Sequence, residues 1–348
     1  MRIAQSVRKL TPYTPGEQPK DARVIKLNTN ENPYPPSPRV AQVLASFDTD
    51  RLRRYPDPVF TALRERLAVI HGTVPEKIFI GNGSDEVLTL AARAFVDDTE
   101  AIGAFDPSYS LYQTLAAIRN VPFVPTPLDD RFGWTDPVTD RVALFLLTNP
   151  NAPTSCAVTA DRIRPFAARF PGVVLIDEAY ADFADAHCMT LATAAENENV
   201  IVMRTLSKSF SLAGLRLGYC VGPVDLIEAL YKVKDSYNIN ALSQAVALAA
   251  LEDLPWMRAH VERVRATRRR LTDALRQRGW DVPDSQTNFL FARPARRPAA
   301  DLFEALRQRH IYVRYFPGAR TGDRLRITIG TEEETDAFLA AIDALDTL

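Results

Sequence analysis

Short apolar segments alternate with helical patterns through the first two thirds of the chain. Six segments predict strands, and most of them are almost continuously hydrophobic, as is typical of a sheet buried on both faces. They are residues 77–82, 101–105, 142–148, 173–177, 200–204 and 217–222. Between them, residues 85–96 and 161–170 carry apolar positions three to four apart, which predicts helices. This alternation predicts an α/β fold with a mostly parallel central sheet.

From about residue 224 the pattern changes to longer helices. Residues 241–254 and 257–279 predict two of them, and the second is strongly charged on one side, as is typical of a solvated helix face. Strands and helices then alternate from residue 288 to the end, which predicts a compact α+β unit. The chain is long enough, at 348 residues and 46% hydrophobic, for one large domain and a smaller one.

Composition argues against several classes of partner. The 42 basic and 43 acidic side chains give a net charge of -1, so nucleic acid and anionic membranes are not expected as partners. The first 20 residues contain no apolar signal region and no 18-residue apolar run occurs, which disfavours secretion or membrane insertion. Three scattered cysteines suit a reducing cytoplasm, and four distant histidines predict no metal site.

Lys208, in the segment "TLSKSFSLAGLR", is the only lysine between Lys77 and Lys232, in a chain that otherwise uses arginine there. Only lysine can readily lose its proton and act as an amine nucleophile. Such an amine forms imines with carbonyl compounds, including pyridoxal phosphate (PLP). Taken alone, a solvated surface lysine is the commoner explanation.

Two other strand ends carry candidate cofactor ligands. "GNGSDE" (81–86) joins a strand to a helix, so the N–H groups of Ser84 and Asp85 can bind a phosphate at the helix N-terminus, although a plain helix cap is an alternative. The segment is neither a P-loop nor a G-x-G-x-x-G element. Asp177 ends a buried strand, where a carboxylate either caps a helix or keeps a pyridine nitrogen protonated.

Two further loops follow strands. "LLTNPNAPTS" (146–155) forms a tight turn whose asparagine side chains can donate to an oxygen. "DPSYSLY" (106–112) supplies Tyr109 and Tyr112, which can stack on a planar cofactor or fill the core.

These motifs together resemble the fold type I PLP-dependent aminotransferases, and within them the histidinol-phosphate aminotransferase family. The resemblance runs nearly end to end, from "LTPYTPG" and "LNTNENPYPP" through "RRYPDP", "GNGSDE", "NPNAPTS", "DEAY" and "RTLSKSFSLAGLRLGY" to "SQTNF" and "LRITIG". It implies an N-terminal arm (1–28) that packs with the small domain and active site, a large PLP-binding domain (29–245) and a small C-terminal domain (246–348).

The resemblance implies roles for individual residues. Lys208 would form the imine with PLP and move the substrate proton, Asp177 would pair with the pyridine nitrogen, Tyr180 would reach the 3′-oxygen and Tyr109 would stack on the ring. The residues implied to hold the cofactor phosphate are Ser84, Asp85, Thr205, Ser207 and Arg216. Tyr55 would reach the phosphate of the neighbouring subunit, so the family's active site needs a homodimer.

The turn at 149–155 departs from the family pattern. The family commonly has Asn-Pro-Asn-Asn-Pro-Thr-Gly, and the Asn before Pro-Thr binds the 3′-oxygen. Here that position is Ala152 and the final Gly is Ser155. Either Asn151 replaces the missing amide or Tyr180 holds the oxygen alone, and losing one neutral hydrogen bond costs about 1 kcal/mol.

The substrates follow from the resemblance as well. Arg326 and Arg314 would bind the acidic group of the substrate, since paired guanidinium groups suit a phosphate or carboxylate. Tyr13 and Asn30 would complete this site. The expected substrates are L-histidinol phosphate and glutamate/2-oxoglutarate.

Three alternatives stay open at this point. They are an aromatic amino-acid aminotransferase, a phosphothreonine decarboxylase of cobalamin synthesis and, from another class, a PLP-sensing regulator. The regulator is disfavoured because the chain begins with a short arm, with no room for a winged helix, and its charge is neutral.

Overall fold

The computed structural model describes residues 2–3, 5–8, 10, 16–19 and 24–347. Within these residues the helices are α1 (Gln5–Arg8), α2 (Pro38–Ser46), α3 (Thr61–His71), α4 (Ser84–Ala94), α5 (Leu111–Arg119), α6 (Ala160–Arg169), α7 (Met189–Thr193), α8 (Val224–Val233), α9 (Ala241–Leu251), α10 (Leu254–Gln277), α11 (Ala299–Gln308) and α12 (Glu332–Asp346). The strands are β1 (Ile25–Lys26), β2 (Ile78–Gly81), β3 (Ala101–Asp106), β4 (Phe123–Pro127), β5 (Val142–Thr148), β6 (Val173–Asp177), β7 (Val200–Thr205), β8 (Gly218–Val221), β9 (Phe289–Ala292), β10 (Ile311–Tyr312), β11 (Arg314–Tyr315) and β12 (Leu325–Thr328).

Seven strands form the central sheet, in the order β2-β8-β7-β6-β5-β3-β4. The pairs from β4 to β7 are parallel, and β8 runs antiparallel to both of its neighbours. The expected α/β fold with a mostly parallel sheet is therefore confirmed.

Apolar side chains on both faces hold this sheet between two layers of helices. Along β5, Phe145 and Leu147 belong to one core cluster, whereas Leu144 and Leu146 belong to the other. Side chains alternate between the faces of a strand. A strand covered on both faces is therefore hydrophobic at nearly every position.

Strand β4 is absent from the sequence prediction. Its sequence, "FVPTP", contains two prolines, which lower the strand propensity. The strand lies at the edge of the sheet and pairs only with β3. Proline is tolerated at such an edge because one side of the strand needs no donors.

A second core surrounds the antiparallel sheet β11-β12-β9, which α10, α11 and α12 accompany. Helix α12 begins with a capping box, in which Thr331 and Glu334 each bond the other's backbone N–H. Helix α9 lies across the predicted boundary at residue 245, and Val246 and Ala250 in it pack in the first core. The three-part division of the chain stays a prediction.

A strand pair and an arginine are among the contacts that join the C-terminal unit to the rest of the chain. Strand β1 pairs in parallel with β10. In the loop between β11 and β12, Arg320 donates to the carbonyl oxygens of Asp106 (2.8 Å) and Asp129 (2.6 Å). These contacts hold β12 near the carboxyl ends of the central strands.

Among the helices of these residues, none is both long and apolar enough to cross a membrane. The same part of the chain contains no group of three or more His, Cys, Asp or Glu side chains arranged to hold a metal ion.

Candidate active site

A cavity of about 290 Å³ lies at the carboxyl ends of β5, β6 and β7. The edge where parallel strands end is the usual ligand site of an open α/β sheet. Eleven of the residues singled out in the sequence line this cavity: Ser84, Asp85, Tyr109, Asp177, Tyr180, Thr205, Ser207, Lys208, Arg216, Arg314 and Arg326.

Lys208 follows β7 and extends its amine into this cavity. Its Nζ donates to the carbonyl oxygen of Thr29 at 3.2 Å and lies 5.7 Å from the centre of the Tyr180 ring. Burial lowers the pKa of Lys208 to about 8, and the nearby Arg326 guanidinium acts in the same direction. The amine is thus far easier to deprotonate than that of a solvated lysine.

Asp177 ends β6 and is 4% exposed. Its Oδ2 accepts from the Tyr112 hydroxyl at 2.9 Å, and its Oδ1 accepts from the Ala179 N–H at 3.1 Å. Burial raises the pKa of Asp177 to about 6, although these two hydrogen bonds favour the ionised form. A cation bound in the cavity would stabilise the ionised form of Asp177 and so lower its pKa again.

The N-terminus of α4 forms another part of the cavity wall. Gly83 precedes the helix at φ 85°, a left-handed conformation that glycine adopts freely. A Cβ on Gly83 would lie 2.7 Å from the Arg216 guanidinium, and one on Gly218 would lie 2.5 Å from the Ser84 nitrogen. Because neither glycine has a Cβ, the Arg216 guanidinium and strand β8 can both pack against the N-terminus of α4. A helix N-terminus beside a guanidinium is suited to bind a phosphate.

Arg216, Asp85 and Tyr109 are connected beside this helix end. Arg216 has φ 57° and its Nη2 lies 3.5 Å from an Asp85 oxygen. The Tyr109 hydroxyl donates to Asp85 at 3.3 Å. Thr205 and Ser207 complete the wall, with 2.9 Å between their hydroxyl oxygens.

Arg314 and Arg326 lie directly opposite each other on β11 and β12. Phe316 packs against both guanidinium groups, at 5.3 and 5.2 Å from its ring centre, and Arg326 also donates to the carbonyl oxygen of Asn28 at 2.9 Å. Like charges facing across two strands repel each other. An anion bound between them would remove that repulsion.

Tyr180 and Asn30 form a buried pair at the base of the cavity. Asn30 donates from Nδ2 to the Tyr180 hydroxyl at 3.0 Å and does not line the cavity itself. It was predicted to contact substrate, whereas the structure places it behind Tyr180.

Two further predicted residues, Asn151 and Tyr55, do not line the cavity. The Asn151 side chain donates to the Pro107 carbonyl in the loop after β3 (3.0 Å) and to Thr154 in its own loop (2.9 Å), and Ala152 lines the cavity instead. Tyr55 is 79% exposed and stacks on Tyr237. Tyr13 lies outside the described residues.

The sequence reasoning missed several lining residues. Thr148 ends β5 beside Asp177 and shares a 2.6 Å hydrogen bond with Tyr112, a position that its strand-end location could have indicated. Gly16, Gln18, Asn28 and Thr29 also line the cavity. They come from the N-terminal segment, for which the resemblance implied packing at the active site but no role for these four residues.

These residues fit PLP. A readily deprotonated amine, a buried carboxylate, and a helix N-terminus kept open by Gly83 and Gly218 line one cavity, and they match the aldehyde, the ring nitrogen and the phosphate of this cofactor.

Comparison with known proteins agrees with this fit. The model of the family described as aminotransferase class I and II matches residues 22–342. The chain therefore belongs to this family of PLP-dependent aminotransferases.

Proteins similar to this chain identify its family within the aminotransferases. Histidinol-phosphate aminotransferase 1 of Burkholderia pseudomallei (strain K96243) is 46% identical over 347 residues, which cover 97% of each chain. The histidinol-phosphate aminotransferase of Acetobacter pasteurianus is 43% identical over 97% of this chain and 95% of its own. Within the aminotransferases, the chain belongs to the histidinol-phosphate aminotransferase family.

A solved structure supports the fold independently. The histidinol-phosphate aminotransferase from Sinorhizobium meliloti, crystallised with pyridoxal-5′-phosphate, superposes with a TM-score of 0.87. It covers 99% of this chain and 98% of its own at 24% sequence identity.

Proposed function

We propose that the protein transfers the amino group of L-histidinol phosphate to 2-oxoglutarate, giving imidazole acetol phosphate and glutamate, in histidine biosynthesis. The observation that supports this most strongly is the opposed pair Arg314 and Arg326 in the cavity that Lys208 also lines. All the proposed substrates carry an anionic group: a phosphate in L-histidinol phosphate, and carboxylates in glutamate and 2-oxoglutarate. Planar guanidinium groups bind either group through two parallel hydrogen bonds.

The arginine pair is held ready for such an anion. Phe316 contacts both guanidinium groups, and Phe289 lies 5.4 Å from that of Arg326. Aromatic faces stabilise cations that lie over them. The strands therefore present fixed charge to the cavity, and substrate binding needs little rearrangement there.

Lys208 is assigned the proton transfer. When bound, PLP supplies an electron sink that makes the Cα proton of an amino substrate acidic. A group with a pKa near the working pH both accepts and returns a proton efficiently. The Lys208 amine, with its pKa lowered to about 8 by burial, meets this condition.

Asp177, Tyr109, Tyr180 and the residues around the start of α4 are assigned to cofactor binding. Asp177 would hold a proton on the ring nitrogen, supported by the hydrogen bond from Tyr112. The N–H groups of Ser84 and Asp85, the hydroxyls of Thr205 and Ser207, and Arg216 would hold the phosphate. Their shared cavity wall supports this assignment.

We also infer a homodimer with shared active sites in the cytoplasm. An exposed tyrosine stacked on a second tyrosine, Tyr55 on Tyr237 at 4.3 Å, is the kind of aromatic surface that protein interfaces cover. Leu52, beside it in sequence, is 58% exposed. The cysteines are unpaired, as in a reducing compartment.

A half-reaction assay tests the substrate assignment. The PLP-loaded protein is mixed separately with L-histidinol phosphate, phenylalanine and glutamate, and the conversion of the cofactor's visible band is followed. We expect L-histidinol phosphate to react with the highest efficiency of the three and glutamate to react as well. A higher efficiency with phenylalanine would support the aromatic aminotransferase instead.

Arg326→Lys sharpens this assay. It keeps the charge but loses two-point binding, so efficiency with L-histidinol phosphate should fall about ten- to a hundredfold, from the loss of roughly 1.5–3 kcal/mol. The exposed Arg309, whose Nη1 donates to Ala305 within α11, supplies the matched Arg309→Lys control. Unchanged efficiency in Arg326→Lys would refute the anion site and leave the PLP assignment intact.

A further inference from the structure

The Asn30 side chain connects β12 with Tyr180. Asn30 is 1% exposed, and its backbone is left-handed at φ 56°. Its Nδ2 donates to the Tyr180 hydroxyl at 3.0 Å, and its Oδ1 accepts from the Thr328 hydroxyl at 3.1 Å. The Thr328 oxygen in turn accepts from the Asn30 backbone N–H at 3.0 Å.

These contacts fix which group donates in each hydrogen bond that links Thr328, Asn30 and Tyr180. The Thr328 hydroxyl has one proton, which it donates to Asn30 Oδ1, so the amide N–H₂ of Asn30 is turned toward Tyr180. The Tyr180 oxygen is therefore an acceptor from Asn30, and its own proton is left for another partner. Among the described residues, Tyr180 makes no second side-chain hydrogen bond, and it lines the cavity.

Among the described residues, a methyl group stands where the resemblance leads us to expect an amide donor. Ala152, where related enzymes commonly carry an asparagine, packs with Tyr180 and Phe289 in one small apolar cluster. An oxygen bound here meets a methyl group on that side, and the Tyr180 hydroxyl is the donor available to it.

We propose that Asn30 is a positioning residue that directs the Tyr180 proton into the cavity, toward the ring oxygen of bound PLP. This rests on the proposed placement of the cofactor between Lys208 and Asp177. Asn30 acts through Tyr180 and touches no reacting atom. Its effect is to make Tyr180 a donor at all times, which compensates for the amide missing at Ala152.

Burial keeps Tyr180 protonated. Burial raises the pKa of Tyr180, Arg326 and the Asn30 hydrogen bond lower it, and Asp177 and Asp85 raise it further. Lys208 Nζ lies 5.7 Å from the ring. The net direction is upward, so the hydroxyl retains its proton at neutral pH.

Asn30→Asp tests the direction of the hydrogen bond. Aspartate has the shape of asparagine and tolerates the left-handed backbone, but a carboxylate only accepts hydrogen bonds. With two hydroxyls donating to it near Lys208 and Arg326, the introduced carboxylate is held ionised. It would take the Tyr180 proton away from the cavity. Asn30→Gly also tolerates the backbone and leaves the hydroxyl free to donate.

The readout is the pH at which the visible band of the bound cofactor changes, as the nitrogen joining it to Lys208 loses its proton. A donor to the adjacent ring oxygen stabilises the negative charge left behind, so it lowers this midpoint. Tyr180→Phe removes the donor and serves as the reference for the largest increase in midpoint pH. We expect that increase to be about one to two pH units, as for a hydrogen bond to a charged group.

We expect Asn30→Asp to raise the midpoint as far as Tyr180→Phe does, and Asn30→Gly to raise it by less than half as much. A wild-type midpoint in Asn30→Asp, or a full shift in Asn30→Gly, would show that Asn30 only fills space. Should Asn30→Asp fail to fold, Thr328→Val replaces it. It removes the hydroxyl that orients the amide, and an unchanged midpoint there would contradict the proposal.

This titration uses the PLP-loaded protein without any amino donor or acceptor. Failure of the substrate assignment therefore leaves the result unaffected. If the wild-type protein shows no lysine-linked cofactor band, the proposed function itself fails, and this is visible before any variant is compared.

Discussion

Lys208 illustrates how its surroundings change the chemistry of a single side chain. Its amine lies in a cavity with Arg326 nearby, and burial together with that charge lowers its pKa to about 8 from an ordinary value of 10.5. At pH 7 about one amine in ten is then neutral, whereas about one in three thousand would be neutral in water. The residue is prepared to react before any cofactor arrives.

This pKa predicts how the cofactor-free protein captures PLP. Only the neutral amine attacks an aldehyde, so the capture rate should rise about tenfold per pH unit below pH 8 and level off above it. The measurement is the appearance of the visible band after mixing, between pH 6 and 10. A rate that continues to climb through pH 10 would show that Lys208 titrates as an ordinary lysine.

Ser155 is a strained residue beside the active site. Its backbone is left-handed at φ 67°, it is fully buried, and its hydroxyl has no hydrogen-bond partner among the described residues. A left-handed backbone costs a residue with a side chain roughly 1–2 kcal/mol, and an unpaired buried hydroxyl costs about 1–3 kcal/mol.

Ser155→Gly should therefore stabilise the protein. Glycine loses more backbone entropy on folding, by about 1 kcal/mol, so we expect a net gain of at least about 1 kcal/mol and a melting temperature higher by at least about 2 °C. Ser211→Gly is the matched control, since Ser211 has φ 60° but a partly exposed side chain, and it should gain less. A lower melting temperature for Ser155→Gly would mean that the serine hydroxyl has a partner that stabilises the loop.

At the scale of elements, the start of α4 depends on its contact with β8. A Cβ on Gly218 would lie 2.5 Å from the Ser84 nitrogen and 2.8 Å from the Gly83 carbonyl carbon, both of which are backbone atoms. Neither can rotate away, so the first turn of the helix would have to move.

Gly218→Ala should therefore weaken PLP binding by at least about tenfold, through the loss of one hydrogen bond to a charged group. Gly214→Ala provides the control, because a Cβ there meets no atom within 4 Å, and it should change the affinity by less than about twofold. Dissociation constants for PLP from fluorescence titration compare the two. Equal affinities would show that phosphate is bound elsewhere.

Elements with two buried faces could be predicted closely from the sequence. The predicted strands at 142–148 and 173–177 coincide with β5 and β6 because nearly every position in them is apolar. Asp177 ends β6 and Lys208 follows the parallel strand β7, so both lie at one edge of the sheet. By contrast, the Asn30–Tyr180 contact joins positions 150 residues apart, and no local pattern encodes it.

At the scale of the whole molecule, the proposed dimer predicts complementation between two variants. Lys208→Ala lacks the amine, and Tyr55→Phe keeps the stack on Tyr237 but lacks the hydroxyl expected to reach the partner's cofactor. In a mixed dimer, one site has both the wild-type lysine and the wild-type tyrosine. An equal mixture that exchanges subunits should therefore recover about a quarter of the wild-type activity.

The comparison is with each variant alone, measured at the same total concentration. Light scattering should give the mass of a dimer for both variants and for the mixture. A mixture that shows only the average of the two separate activities would refute a shared active site.

Arg320 binds the C-terminal unit to the large sheet through backbone carbonyl oxygens, which every amino acid possesses. Both of its bonds go to main-chain carbonyls, those of Asp106 and Asp129, and neither goes to a carboxylate. Replacement of either aspartate leaves the acceptor in place, so mutations at those two sites are neutral for this contact. In an evolving lineage this one contact is therefore lost by mutation of the arginine, whereas substitution of either aspartate preserves it.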